Sequence, residues 1–352
     1  MRNAFARRFA AALLPAALAA GAAVPAAAQS LTGAGATFPY PIYSKWFDMY
    51  GEKTGVRINY QSIGSGAGIQ QVRAGTVDFG ASDAALSNDR LREMPRRVVH
   101  FPTVAGAVVL AYHLPGTSKP LQLTPEVIAA IYLGKITTWN DRRVAAANPG
   151  VELPAAPILA VHRADGSGTT NIFTSYLSAI SAEWKDLVGA NTSVSWPSGV
   201  GGKGNEGVAG LVRQTPGAIG YVELAYAKQN RLPVALVRNR AGRFVAPSLA
   251  STTAAAAGSA AALAKDVRTP IVNAAGPDAW PIAGLTFLLV YQDQKDPAKA
   301  KALADFIAWA IHEGQSVAEA LDYARLPEAV VKVNEASLRT LTAAGRPVIA
   351  GR

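Results

Sequence analysis

The stretch VHRADGSGTT, Val161–Thr170, decides how the rest of the chain is read. Its first residues have the apolar pattern of a short buried strand. The polar, glycine-broken remainder is a compact turn that opens a helix. That span holds a guanidinium (Arg163), a carboxylate (Asp165), two hydroxyls (Ser167, Thr169) and glycines that leave backbone N–H groups accessible. The first N–H groups of a helix have no carbonyl behind them and carry the positive end of its dipole, so they favour an anion. An arginine fork adds donors suited to a tetrahedral oxyanion. The expectation is a cradle for phosphate or a similar oxyanion, belonging to a catalyst or a carrier.

The same arrangement recurs upstream. LTGAGATF (Leu31–Phe38) reads as a strand that passes Gly33 and Gly35 and places Thr37 and Phe38 before a helix. In that helix Ile42, Trp46 and Tyr50 recur at helical spacing, and Gly55 stops it. Thr37 also fits an ordinary N-cap. VRINYQS (Val56–Ser62) alternates as a strand does and runs into Gly64-Ser65-Gly66-Ala67-Gly68 and a short helix. With Asp83 downstream this imitates a dinucleotide fingerprint, but Ile69 stands where the third glycine belongs. A third hydroxyl-bearing helix start is the simpler reading.

TVDFGASD (Thr76–Asp83) is a strand that ends in a carboxylate. Ser87 suits the cap of the next helix, which leaves Asp83 free of that duty. Further on come a long apolar strand (Phe101–Leu114) and a helix start at Thr124-Pro125-Glu126, with Ile131, Tyr132 and Trp139 as core. After Val161–Thr170, a helix shows Phe173, Tyr176 and Leu177 on its apolar face. GVGGKGNEG (Gly199–Gly207) lacks the order of a nucleotide P-loop. Asn205 then starts a helix, and Gly217–Glu223 reads as a buried strand. Ser248–Ala264 reads as a plain surface helix with a loose start. A strand containing TFLLVYQDQ and helices at Pro297–His312 and Pro327–Leu341 complete the chain. Alternating strands and helices define an α/β class, with a ligand expected at the carboxyl ends of strands.

Arg2, Arg7 and Arg8, the apolar run Phe9–Ala20, and Ala26-Ala27-Ala28 before Gln29 form a secretory leader over residues 1–28. Cleaved export to the periplasm is expected, by the general or the twin-arginine route. Gln29 replaces the cysteine of a lipid-anchored protein. No later stretch is apolar enough for stable membrane insertion. Cysteine is absent, which excludes thiolate catalysis, disulfides and sulfur-ligated metals. The net charge of +10 is spread along the chain without basic runs, so a small anion fits better than nucleic acid. The histidines His100, His113, His162 and His312 form no metal motif, and no GxSxG elbow surrounds Ser167. His162, next to Arg163 on a strand, should face away from it. No metal, cofactor or catalytic residue is expected.

The polar residues at strand ends make one oxyanion set. Thr37, Ser65, Ser167 and Thr169 offer hydroxyls; Phe38, Ser65, Gly168 and Thr169 offer N–H groups. Arg163 supplies charge, and Asp165 on the same face can hold its guanidinium. Asp83 is the discriminating residue, because a carboxylate repels a buried anion unless the ligand donates a proton. Phosphate keeps one at neutral pH and sulfate does not. A site built on a required hydrogen bond can reject an analogue lacking it by on the order of 10⁴–10⁵.

LTGAGATFPYPIYSKW, IGSGAGIQQV, VDFGASDA, YLGKITTWND, HRADGSGTTNIFTSYL, GGKGNEGV and GAIGYVELAYAKQN together resemble the periplasmic phosphate-binding proteins of bacterial phosphate ABC importers, from about Leu31 to Tyr323. The resemblance implies a two-lobed periplasmic binding protein fold of type II, closing by a hinge on one phosphate and docking, as a monomer, on membrane permease subunits. One lobe would comprise residues 29–104 and 278–352, the other 105–277, with crossovers near Thr103–Gly106 and Gly276–Trp280. The family's ligand positions carry over to Thr37, Phe38, Ser65, Asp83, Arg163, Asp165, Ser167, Gly168 and Thr169. Ala85, Gly66 and His162 depart from the family's usual proline, serine and second arginine, and none removes a ligand group. A receptor for sulfate or molybdate and an exported phosphatase-like enzyme are the competing functions.

Overall fold

The computed structural model describes residues 30–117 and 119–349, so the leader read into residues 1–28 lies outside the described residues. Eight strands form the main sheet: β1 (Ser30–Gly35), β2 (Arg57–Ser62), β3 (Phe79–Ser82), β4 (Val98–Tyr112), β5 (Leu159–Arg163), β6 (Val200–Gly202), β7 (Ala218–Glu223) and β8 (Ala283–Tyr291). Their spatial order is β2-β1-β3-β8-β4-β7-β5-β6. β1 is parallel to β2 and β3, and β5 is parallel to β6 and β7. Parallel neighbours need crossover connections, so a helix follows each of β1, β2, β5 and β6: Tyr40–Thr54, Ser65–Ala74, Gly168–Ile180 and Gly204–Gln214. All four begin at the carboxyl ends of their strands.

The two parallel groups are joined by the antiparallel pair β4 and β8. β4 pairs with β8 from Val98 to Ala107, and with β7 from Val108 to Tyr112. Its sequence VVHFPTVAGAVVLAY is buried almost throughout and lacks the alternation of a half-exposed strand, as its central position requires. A bulge interrupts the pairing between Thr286 and Phe287. Three buried tryptophans pin loops to this frame, and their indole N–H groups are satisfied. Trp280 Nε1 donates to the Val108 carbonyl at 3.0 Å, Trp139 Nε1 to Gly217 at 3.0 Å and Trp46 Nε1 to Gly314 at 2.7 Å.

One element differs from its sequence reading. Ser248–Ala264 is two helices, Leu249–Gly258 and Ala260–Lys265, and the start is tight rather than loose. Ser248 and Ser251 form a reciprocal capping box, and Ser251, Thr252, Ala255, Ala256 and Leu263 are buried. Small residues with no large apolar stripe concealed that inward face, which packs close because its side chains are short.

The helix Ser65–Ala74 reaches its place because Gly68 has no side chain. A Cβ there would lie 2.7 Å from the Ala34 carbonyl oxygen and 2.9 Å from that of Ala81, both backbone atoms of neighbouring strands. Gly68→Ala should therefore destabilise the protein by about 1–3 kcal/mol, even though alanine is the better helix former. Urea unfolding measures this, and a gain in stability would show that the helix has slack to move.

Candidate functional site

Four helix starts converge at the carboxyl ends of β1, β2 and β5 and behind β6. The helix after β1 begins at Pro39–Tyr40 with no side-chain cap, so Thr37 is not its N-cap. Thr37 is instead buried, and its Oγ1 accepts from Asn205 Nδ2 at 2.7 Å and Asn205 N at 3.3 Å. Phe38 is buried beside it, with its carbonyl accepting from the Tyr323 hydroxyl at 2.6 Å. The helix after β2 begins at Ser65, whose Oγ accepts from Asp83 N at 3.2 Å.

The turn after β5 folds as its residues suggest. Asp165 grips the Arg163 guanidinium in a bidentate pair, Nε to Oδ1 at 2.8 Å and Nη2 to Oδ2 at 2.6 Å. Gly204 N also donates to Asp165 Oδ1, at 3.0 Å. Burial acts to raise the Asp165 carboxyl, but the bonds and charge of Arg163 outweigh it and hold the group below the usual carboxylate value. Ser167 caps the helix Gly168–Ile180 by accepting from Thr170 N at 3.0 Å. That leaves the Gly168 and Thr169 N–H groups in a first turn with no carbonyl behind them. Thr169 Oγ1 accepts from Asn205 Nδ2 at 3.1 Å and from Arg163 Nη1 at 3.4 Å.

The two sides touch. Gly66 N donates to the Gly166 carbonyl at 2.8 Å, and a Cβ on Gly168 would lie 2.5 Å from both Asp83 Oδ2 and Ser65 Oγ. Ser65, Asp83 and Gly168 are thus in one place, and Thr37, Thr169, Arg163 and Asp165 are strung together beside Asn205. Asp83 is buried, and its Oδ1 has no hydrogen-bond partner. Burial pushes its carboxyl up to about 7, against the lowering influence of Thr286, the Arg163 charge and Ser65. A cavity of about 40 Å³ reaches Asp83 between Ile172, Ile271 and Leu285. A much larger open concavity, about 700 Å³ and lined by Arg92, Arg97, His100, Lys265 and Arg268, lies apart from this cluster. Converging orphan donors, not cavity size, mark the site.

His162 turns away from Arg163. It stacks on Trp196 with ring centroids 4.8 Å apart, and its Nδ1 lies 3.1 Å from the Arg163 carbonyl oxygen. Three residues not read from the sequence as part of the site belong to it: Asn205, Tyr226 and Tyr323. Tyr226 donates its hydroxyl proton to the Thr37 carbonyl at 2.7 Å. The GNEG turn gave a signal for Asn205 as a helix start but none for its reach to Thr37. Among the described residues no cluster of histidine, aspartate or glutamate is arranged to hold a metal ion, and no helix is long and apolar enough to cross a membrane.

An α/β sheet switching pairing partners along β4, with donors gathered from both halves, is the layout of a two-lobed binding protein. Residues 20–313 match the family model described as the PBP superfamily domain. The chain is 48% identical over 314 residues to the phosphate-binding protein PstS of Pasteurella multocida, covering 89% of this chain and 91% of that one. It is 49% identical over 307 residues to the PstS of Xylella fastidiosa, covering 87% and 84%. The crystal structure of the ancestral soluble variant of the human phosphate binding protein shares the fold, with a TM-score of 0.72 at 22% identity over 90% of this chain and 96% of that one. The chain belongs to the PstS phosphate-binding protein family of this superfamily.

The Asp83 carboxyl has a stability consequence. In the folded protein it keeps its proton up to about pH 7, against an ordinary value of 3.8. Between those values the folded state holds the extra proton, so stability without ligand falls as pH rises through the window. Asp83→Asn should raise the melting temperature of phosphate-free protein at pH 8 and leave it nearly unchanged at pH 4. Melting curves at the two pH values check this, and an equal shift at both would remove titration of Asp83 as its origin.

Proposed function

We propose that this protein is the receptor of a phosphate ABC importer, binding inorganic phosphate in the cleft and delivering it to membrane permease subunits without catalysis. The observation that carries the proposal is Asp83 Oδ1, a buried carboxylate oxygen with no partner beside a ring of oxyanion donors. Facing such donors, an acceptor calls for a ligand that carries both negative charge and a proton, as phosphate does at neutral pH.

Each residue then has a part. Thr37, Ser65, Ser167 and Thr169 donate hydroxyl protons, and Phe38, Ser65, Gly168 and Thr169 donate N–H groups. Arg163 contributes charge, Asp165 fixes its fork, and Asp83 accepts the phosphate proton. Residues 29–104 and 278–352 form one lobe and 105–277 the other. Thr37, Phe38, Ser65 and Asp83 thus face 163–169 across the hinge, and closure completes the donor set. The change of β4 from β8 to β7 after Ala107 supports this division. Residues 1–28 are a cleaved leader, the protein works in the periplasm, and it acts as a monomer.

Calorimetry with phosphate and with sulfate on phosphate-stripped protein tests the proposal. Phosphate should bind tightly and sulfate should not; comparable binding of the two, or turnover of a phosphoester, overturns it. Arg163→Ala removes charge-assisted bonds and should weaken phosphate roughly 100-fold or more. Asp83→Asn should narrow the gap between phosphate and sulfate. His162→Ala should leave phosphate affinity close to that of the unchanged protein.

A further inference from the structure

We infer that Asn205 is a positioning residue that polarises two ligand hydroxyls, one from each side of the cleft, so that both point their protons at the bound anion. The inference rests on the phosphate-binding function proposed above and adds a residue outside the ligand set.

A threonine hydroxyl has one proton and two lone pairs, and in a dry site nothing intrinsic decides whether it faces an anion with the one or the other. The wrong orientation sets oxygen lone pairs against negative charge. Asn205 settles the choice for Thr37 and Thr169. Its Nδ2 lies 2.7 Å from Thr37 Oγ1 and 3.1 Å from Thr169 Oγ1, and a side-chain amide has two N–H bonds, one for each. Its backbone N adds a further donor to Thr37 Oγ1 at 3.3 Å. Arg163 Nη1 adds one to Thr169 Oγ1 at 3.4 Å. Each hydroxyl therefore accepts from the framework, and its own proton is left for the cleft.

The amide cannot be turned over. Asn205 Oδ1 accepts from the Glu223 backbone N–H at 2.9 Å, so the oxygen end faces a donor that only an oxygen can satisfy. With that end fixed, the nitrogen must face the two threonines. Asn205 is fully buried, which removes water as an alternative partner. Because Thr37 follows β1 and Thr169 opens the helix after β5, the same amide ties the two sides of the cleft and aims a donor from each.

Asn205→Leu removes both amide donors, and Asn205→Asp keeps the shape while replacing them with acceptors. Each is measured by phosphate calorimetry in the natural background and in one carrying Thr37→Val and Thr169→Val. The leucine variant should weaken phosphate about 10- to 100-fold in the first background and less than about threefold in the second, where no hydroxyl remains to orient. A role confined to holding the fold would cost the same in both, and that result overturns the inference. Asn205→Asp should cost more than leucine with the hydroxyls present, and its loss should shrink by about tenfold or more without them, the remainder being the added charge. It carries the test if the leucine variant fails to fold, judged by melting without phosphate, and an affinity equal to that of the unchanged protein overturns the inference. If the unchanged protein fails to bind phosphate, the functional proposal falls first and this assignment with it.

Discussion

A cleft proposed to hold an anion asks the hydroxyls facing it to present their protons, and most of the bonds around the site serve that demand. A buried anion away from water is tolerated only where donors surround it, and a donor that can equally accept is no donor until something behind it occupies its lone pairs. All four candidate hydroxyls are backed in this way. Ser65 accepts from Asp83 N, with its own proton turned to Asp83 Oδ2 at 3.4 Å, Ser167 accepts from Thr170 N, and Thr37 and Thr169 accept from Asn205. The backing donors come from a strand end, a helix first turn and a side chain carried in on a fourth helix. The parallel strand groups with their crossover helices bring those pieces to one place.

Charge is controlled by the same economy of partners. Arg163 is buried and would be costly alone, but the bidentate pair with Asp165 makes it part of a nearly neutral unit that keeps Nη1 directed towards Thr169. Asp83 is treated in the opposite way. It has no cationic partner in contact, it is buried, and its carboxyl is pushed up to about 7, so it is poised between acid and base near neutral pH. One aspartate of the site is held ionised by its neighbours and the other is left undecided until a ligand arrives.

The α/β class and the helix starts bearing Thr37, Ser65, Arg163, Asp165 and residues 167–169 were legible in the sequence, because each rests on local chemistry. Bringing them together with Asp83 leaned on their shared place at strand ends and on the family resemblance. A glycine-rich turn with a hydroxyl after an apolar strand looks the same on paper as in space. What was not legible depends on distance along the chain. Asn205 meets Thr37 across 168 residues, and nothing within GNEG distinguishes it from an ordinary residue at a helix start. Tyr226 and Tyr323 carry no local sign of a place at the site, and both are buried. The Ser248–Ala264 segment was misjudged because alanine, serine and threonine give no periodic apolar stripe even when one face is buried.

Those two tyrosines explain how a backbone N–H can be aimed as firmly as a side chain. In a planar trans peptide the carbonyl and the following N–H point in opposite directions. Tyr226 holds the Thr37 carbonyl at 2.7 Å, so the Phe38 N–H of that same peptide is turned the other way, with no freedom to rotate alone. Tyr323 holds the next carbonyl, that of Phe38, at 2.6 Å, which keeps a second oxygen engaged with the framework. Tyr323 has one hydroxyl proton, and Glu223 Oε2 stands 3.2 Å from the same oxygen. That proton is shared between the Phe38 carbonyl and Glu223 Oε2, which also accepts from Ala225 N at 2.8 Å. Burial pushes the Glu223 carboxyl well above the usual carboxylate range, against the lowering effect of its bonds from Ala225 N and the Tyr323 hydroxyl. Backed hydroxyls and aimed N–H groups thus turn protons towards the proposed cleft, while Asp83 Oδ1 is left there as an acceptor.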